Sequence, residues 1–177
     1  IIISISLNKE KVKYLYSGGD DRQNLEIILP RTYLPFENIS LEIEYFTNNQ
    51  NKADPNSIWG SFGRGLRFQK PTPTTPKKRK QIWSSGEPDH NRYWFPSNED
   101  ISDIHTTEII ATVEKPLQVI SNGELLGITE NANQTNTFHY KADRPFPNYL
   151  VSIVVGEYSD AIQKAGKTTI HNFGYPD

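Results

Sequence analysis

The sequence has 177 residues, of which 35% are hydrophobic and none is cysteine. This length suits one domain with a core of its own, and the clustering of the apolar residues argues against disorder over most of the chain. The missing cysteines exclude disulfides and thiolate metal sites, and the formal net charge of −2 provides no global field that would recruit nucleic acid or an anionic membrane.

Apolar and polar residues alternate along the chain with a period of two, which is typical of half-buried β-strands. Ile3, Ile5 and Leu7 alternate with serines at the beginning of the sequence. The pattern predicts strands at residues 3–7, 12–16, 25–29, 39–45, 107–113, 117–121, 124–129, 137–141, 149–158 and 168–173. No window of a dozen residues has the apolar spacing of a helix. We therefore predict a single all-β domain over residues 1–177, an antiparallel sandwich or large curved sheet with little or no helix.

The segments between these strands carry turn and loop signals. Asn122-Gly123 lies between two alternating runs and predicts a hairpin, because both residues tolerate positive φ. Residues 47–57 indicate a polar loop, and the glycines of residues 60–65 fit a hairpin apex better than a phosphate cradle. The proline- and threonine-rich residues before the basic run 77–80 predict a stiff, solvated loop, with a phosphate-binding patch or a nuclear address as the alternatives.

The histidines of this sequence do not have the spacing of a zinc site. His90, His105, His139 and His171 never stand four residues apart, and no His-Glu-x-x-His motif occurs. Such a site needs two imidazoles on one helical face with a carboxylate base beside them. We expect no metal, cofactor or complete catalytic centre in this chain, no nucleic-acid partner and no membrane segment. Because the sequence begins in mid-pattern without Met, we also expect it to be a piece of a longer protein.

The most informative segment is residues 81–103, in which aromatic residues stand beside acidic ones and an arginine. Arg92 has Glu99 and Asp100 within reach across a turn, so we predict an ion pair with a structural role. Glu87 lies in a Gly-Glu-Pro turn and is a candidate for presenting a carboxylate to a cationic ligand. The alternative is a solvated turn residue, since turns of this kind are commonly polar.

This segment resembles the N-terminal domain of the aminopeptidase N family of zinc metallopeptidases. That family carries Gln-x-Glu, an Arg five residues after the Glu, and then an aromatic-Pro-Cys-x-Asp block. In this sequence Ser85, Glu87 and Arg92, followed by Phe95-Pro96, keep the same register without a gap. The likeness extends over nearly the whole chain through ordered stretches, which are residues 25–30, 39–45, 65–68, 115–117, 119–125, 137–140, 145–149 and 151–158.

The resemblance implies a saddle-like β domain that packs on a catalytic domain of the same polypeptide, expected after residue 177. It implies that Glu87 binds the free α-amine of a peptide substrate and that Ser85 lines the same wall. A carboxylate that meets an ammonium in a partly desolvated cleft contributes on the order of 2–5 kcal/mol, enough to demand a free N-terminus. Zinc and the general base are expected in the catalytic domain of the parent protein, not in this chain.

Four positions depart from the family's pattern. They are Ser85 in place of Gln, Ser97 in place of Cys, Glu99 in place of Asp and Ile101 in place of Pro. These changes fall where such a domain meets an active site, so they leave open an inactive relative, such as the family-like subunit of a transcription initiation factor. In that alternative Trp83, Trp94 and the basic run 77–80 engage a protein partner. The aromatic residues alone suggest a third hypothesis, a carbohydrate-binding sandwich.

Overall fold

The computed structural model describes residues 1–16, 24–47, 65–98 and 100–176. In these ranges the chain forms strands β1 to β14 and two short 3-10 helices, η1 and η2, which confirms the predicted all-β fold. The residues divide by their internal contacts into two compact units, Ile1–Gln50 and Asn51–Asp177. The grouping of the whole chain into one domain stays a prediction.

The first unit contains two antiparallel sheets, with the strand orders β2-β1-β5 and β3-β4. The strands are β1 (Ile2–Leu7), β2 (Glu10–Lys11), β3 (Lys13–Tyr16), β4 (Leu25–Ile28) and β5 (Leu41–Tyr45). The alternation of β1 is confirmed at Ile5 and Leu7, which are buried, but not at Ile3, which is 53% exposed and lies where the β1–β5 register shifts. The Ser4 hydroxyl donates a hydrogen bond to the exposed Glu44 carboxylate of β5 at 3.1 Å.

The second unit contains a four-stranded sheet, a three-stranded sheet and a hairpin, with the orders β6-β7-β12-β9, β10-β11-β8 and β13-β14. The first sheet consists of β6 (Gly65–Gln69), β7 (Gln81–Ser85), β9 (Gln118–Ser121) and β12 (Ile153–Gly156). The other strands are β8 (Ile104–Glu114), β10 (Glu124–Glu130), β11 (Thr135–Pro147), β13 (Ser159–Ala165) and β14 (Thr168–Gly174). The helices are η1 (His90–Tyr93), after β7, and η2 (Asn148–Leu150), before β12.

The core of the second unit joins its two larger sheets. Val119 and Val155 come from the four-stranded sheet, Phe138 and Tyr140 come from the three-stranded sheet, and none of the four is more than 6% exposed. The Tyr140 hydroxyl donates a hydrogen bond to the Val119 carbonyl at 2.8 Å, and burial raises the pKa of Tyr140. This arrangement is a sandwich, in which alternate residues of each sheet form the shared core.

The predicted hairpin at Asn122-Gly123 is wrong. β9 pairs with β12, and β10 pairs with β11, so this turn carries the chain from one sheet to the other. The need for glycine is real, because Gly123 has φ of +89° and a Cβ there would lie 2.1 Å from the Lys141 carbonyl oxygen. Asn122 acts through its side chain, which accepts a hydrogen bond from the Ser152 N–H at 2.7 Å and donates one to the Leu150 carbonyl at 3.0 Å.

Several strands lack the buried and exposed faces that alternation predicts. All residues of β7 are half-buried, and all residues of β10, β13 and β14 are exposed. The strand predicted at 149–158 begins only at Ile153, because η2 precedes it. Of the predicted loop at 47–57 and the glycine-rich residues 60–65, only residues 47 and 65 belong to the described part of the chain.

Candidate functional site

The candidate site begins where β7 ends, at Ser85, and consists of a turn that leads into η1. The His90 N–H donates a hydrogen bond to the Gly86 carbonyl at 2.7 Å, which closes the turn. Gly86 is buried, and a Cβ at this position would lie 2.2 Å from the Tyr149 carbonyl oxygen of η2. Glycine is required because a larger residue would collide with this backbone oxygen.

Glu87 follows Gly86 in this turn, and its side chain is exposed. Among the residues with described positions, its carboxylate takes part in no ion pair and accepts no hydrogen bond. Ser85 is half-buried at the last position of β7, where it pairs with Gly65 of β6. The carboxylate is therefore open to a ligand from solvent, whereas Ser85 is part of the sheet. The binding roles of Glu87 and Ser85 stay predictions.

Asn91 of η1 is fully buried, with 0% of its surface exposed. Its amide nitrogen donates hydrogen bonds to the carbonyls of Asn148 at 2.5 Å and Val151 at 3.0 Å. Its amide oxygen accepts a hydrogen bond from the Trp94 indole N–H at 2.8 Å. The side chain thus joins η1 to both ends of η2. Sequence reasoning missed this residue, because asparagine is mostly exposed in proteins and no local pattern indicates its burial here.

Arg92 has a partner that the sequence analysis did not name. Its guanidinium forms an ion pair with Asp89, which lies three residues earlier. Asp100 accepts hydrogen bonds from the Ser102 N–H at 2.9 Å and the Ser102 hydroxyl at 2.7 Å, and these lower the pKa of the Asp100 carboxyl. Asp89 thus takes the place that we predicted for Asp100. The other predicted partner, Glu99, lies outside the described residues.

The residues of the predicted interaction surface are partly engaged within the fold. Trp83 of β7 and Trp94 after η1 are both half-buried. In the basic run, the Arg79 guanidinium lies over the Tyr175 ring, 4.1 Å from its centre. Lys80 forms an ion pair with a glutamate of β8. Two of the four basic residues therefore attach this loop to other parts of the second unit.

Metal ligands are not grouped in the described part of the chain. These ranges contain no cluster of three or more histidine, aspartate or glutamate side chains that could hold a metal ion. His139 Nε2 lies 2.5 Å from the Glu108 carboxylate, and His171 Nδ1 lies 2.6 Å from the Asp160 carboxylate. Zinc needs three or four ligands around one point, so this set of side chains does not fit it. In the same ranges no helix has the length and apolar character to cross a membrane.

Known structures share this fold. No family model matches the chain. The M1 zinc metallopeptidase from Deinococcus radiodurans matches with a TM-score of 0.72 and 24% identity, over 97% of this chain and 36% of the metallopeptidase. Leukotriene A4 hydrolase from Saccharomyces cerevisiae matches with a TM-score of 0.65 and 21% identity, over 96% of this chain and 23% of the hydrolase. This chain shares the β fold of the matched part of the M1 metallopeptidase, which is called the M1 β fold below. The resemblance inferred from the sequence is thereby confirmed at the level of the fold.

A curated relative matches part of the chain at the level of sequence. Transcription initiation factor TFIID subunit 2 from chicken, Gallus gallus, is 26% identical over 97 residues, which are 53% of this chain and 8% of that protein. The chain thus spans less than a tenth of this relative and 36% of the M1 metallopeptidase. The M1 β fold belongs to this chain, whereas the activity of the whole protein is a proposal.

Proposed function

We propose that this chain is the N-terminal, non-catalytic domain of a zinc aminopeptidase, where it packs on the catalytic domain and helps to bind the free N-terminus of a peptide substrate. The observation that carries the proposal is the M1 β fold, matched over 97% of the chain. Because the chain spans 36% of that metallopeptidase, the partner of the domain is the remainder of its own polypeptide, and the substrate binds to the two parts together.

Glu87 is the residue that recognises the substrate's amine in this proposal. A carboxylate and an ammonium form charge-assisted hydrogen bonds, which are stronger in a partly desolvated cleft than in water. The exposed Glu87 has no competing partner among the described residues, so it loses no internal contact when a ligand binds. A peptide with a blocked N-terminus would leave this carboxylate desolvated and unpaired, which explains a preference for free amines. Ser85 lines the same wall with its hydroxyl group.

The metal chemistry of the proposal lies outside this chain. The described residues do not form a zinc ligand set, so no step of the proposal uses a metal that this chain holds. Zinc is assigned to the catalytic domain, as the resemblance implies. What this chain contributes is recognition of the amine and orientation of the peptide relative to that domain.

Glu87→Gln in the parent protein tests the proposal, because it keeps the size of the side chain and removes its charge. We expect kcat/KM for an amino-acid p-nitroanilide with a free amine to fall about 30-fold or more, as expected for a loss of at least about 2 kcal/mol. The matched control is Glu124→Gln, since Glu124 is an exposed glutamate at the start of β10. If Glu87→Gln leaves kcat/KM unchanged, amine recognition by Glu87 is refuted.

A second candidate function is favoured by the sequence identity to TFIID subunit 2. In this candidate the chain is a non-catalytic protein-interaction domain of an inactive relative, with Trp83, Trp94 and the loop of residues 77–80 at the contact. The two candidates differ in the parent's sequence and activity. A parent that lacks His-Glu-x-x-His followed by a further Glu, and that hydrolyses no aminopeptidase substrate, excludes the first candidate. A parent that is an active aminopeptidase and captures no partner protein in a pull-down excludes the second.

A further inference from the structure

We propose that Asn91 is a positioning residue for amine recognition, acting through Glu87; this inference rests on the function proposed above. The turn that carries Glu87 is attached to η2 on both sides, before Glu87 by Gly86 and after it by Asn91. The position of the carboxylate is thereby tied to the sandwich, although the carboxylate itself is free to bind a ligand.

The attachment before Glu87 is a close backbone approach. Gly86 is buried against η2, and a Cβ on Gly86 would meet the Tyr149 carbonyl oxygen at 2.2 Å. The two chain segments therefore lie closer than any residue with a side chain would allow. Because Gly86 immediately precedes Glu87, this contact determines where the Glu87 backbone begins.

The attachment after Glu87 is the side chain of Asn91. The His90 N–H closes the turn onto the Gly86 carbonyl at 2.7 Å, and the next residue, Asn91, donates hydrogen bonds to Asn148 and Val151. These two carbonyls lie on either side of the Tyr149 carbonyl that Gly86 approaches. The backbone of residues 148–151 thus holds both ends of the turn, whereas the exposed side chain of Glu87 within the turn stays free to bind a ligand.

The surroundings of Asn91 dictate an amide at this position. Its nitrogen faces two carbonyl acceptors and its oxygen faces the Trp94 indole N–H, a donor. Aspartate would lack both N–H donors and would place a charge against two carbonyl oxygens, and leucine would satisfy none of the three groups. Asn91 is therefore suited to hold the turn in a single position, which a binding carboxylate needs for its full effect.

Asn91→Ala in the parent aminopeptidase, compared with Asn122→Ala, tests the inference. Asn122 is a matched control because its side chain makes hydrogen bonds to Leu150, the last residue of η2, and to Ser152, but makes no hydrogen bond to the described residues of the Glu87 turn. We expect Asn91→Ala to raise KM for free-amine substrates about tenfold, since a misplaced binding group can cost up to about 100-fold. We expect kcat to stay within about twofold, because the contact between Glu87 and the amine, which this variant weakens, is made equally in the bound substrate and in the transition state. Asn122→Ala should lower stability and leave KM within about twofold.

The Glu87→Gln background separates a positioning role from a purely structural one. If Asn91 acts through Glu87, Asn91→Ala should raise KM no further than Asn122→Ala does once Glu87 has lost its charge. Equal effects of the two asparagine variants on KM in the unaltered background would overturn the inference. If Asn91→Ala does not fold, Trp94→Phe decides, because it replaces the indole by a phenyl ring and so removes one of the three hydrogen bonds of the Asn91 side chain. A KM raised about threefold supports the inference, and an unchanged KM overturns it.

The outcomes also distinguish this inference from the proposed function. A parent that hydrolyses no free-amine substrate, or in which Glu87→Gln has no effect, overturns both. A parent in which Glu87→Gln raises KM but Asn91→Ala acts no differently from Asn122→Ala overturns the positioning role alone.

Discussion

Replacement of Gly86 by alanine should lower the free energy of unfolding by about 2–4 kcal/mol. The added Cβ would lie 2.2 Å from the Tyr149 carbonyl oxygen and 2.8 Å from the amide nitrogen of Asn91. Ordinary van der Waals contact begins at 3.4 Å, so the turn and η2 would have to separate by about 1 Å. Such a displacement stretches the hydrogen bond from Asn91 to Asn148, which is 2.5 Å long in the structure.

The strain cannot be relieved by the rotation of a side chain. The obstructing atom at Tyr149 belongs to the backbone. Its neighbours are held on both sides, since Asn91 binds the carbonyls of Asn148 and Val151 and Asn122 binds the carbonyl of Leu150. The loss of about 2–4 kcal/mol in the free energy of unfolding is therefore the sum of two costs, overpacking and the weakening of buried hydrogen bonds.

Urea unfolding and thermal denaturation, both followed by tryptophan fluorescence, measure this effect. We expect Gly86→Ala to lower Tm by about 4–16 °C, since 1 kcal/mol corresponds to about 2–4 °C in a protein of this size. Gly127→Ala on the exposed β10 is the control, because a Cβ there has no atom within 4 Å, and its effect should stay within about 0.5 kcal/mol. If the two variants unfold at the same urea concentration, the close approach of Gly86 to η2 is not a stabilising feature and the reasoning fails.

Two further predictions concern the sandwich and the alkaline limit of stability. Phe138→Ala should lower the free energy of unfolding, measured with urea, by about 3–5 kcal/mol, because Phe138 is 1% exposed. Ile110→Ala should lower it by well below about 1 kcal/mol, because Ile110 is 65% exposed. Equal losses of stability in the two variants would contradict the assignment of the core face. Burial and the hydrogen bond with Tyr175 raise the pKa of Tyr158 to about 12, from an ordinary value of 10.0. The neutral phenol is favoured in the folded state, so stability that is present below pH 10.0 should be lost towards pH 12. The free energy of unfolding of Tyr158→Phe, measured with urea, should decline less over this pH interval than that of the unaltered chain. An equal decline would refute the raised pKa of Tyr158 as the cause.

The sequence by itself determined the fold class and the place of the candidate site. The alternation of Ile5 and Leu7 with serines predicts β1 and its buried face, because side chains of a strand point to opposite faces in turn. The Gly-Glu-Pro turn and the register from Glu87 to Arg92 point to the segment after β7, and the binding role of that segment stays a prediction. These features are local, so the order of neighbouring residues is enough to reveal them.

The tertiary structure alone decided the partners of the polar groups and the pairing of the strands. Asn122-Gly123 has the composition of a hairpin turn, yet its flanking strands belong to different sheets, because β9 pairs with β12 and β10 pairs with β11, strands that lie farther along the chain. Asn91 owes its role to carbonyls at Asn148 and Val151, which are 57 and 60 residues away along the chain. A buried amide must find partners wherever packing brings them, and the backbone groups that arrive there depend on the whole sandwich, not on the residues beside it.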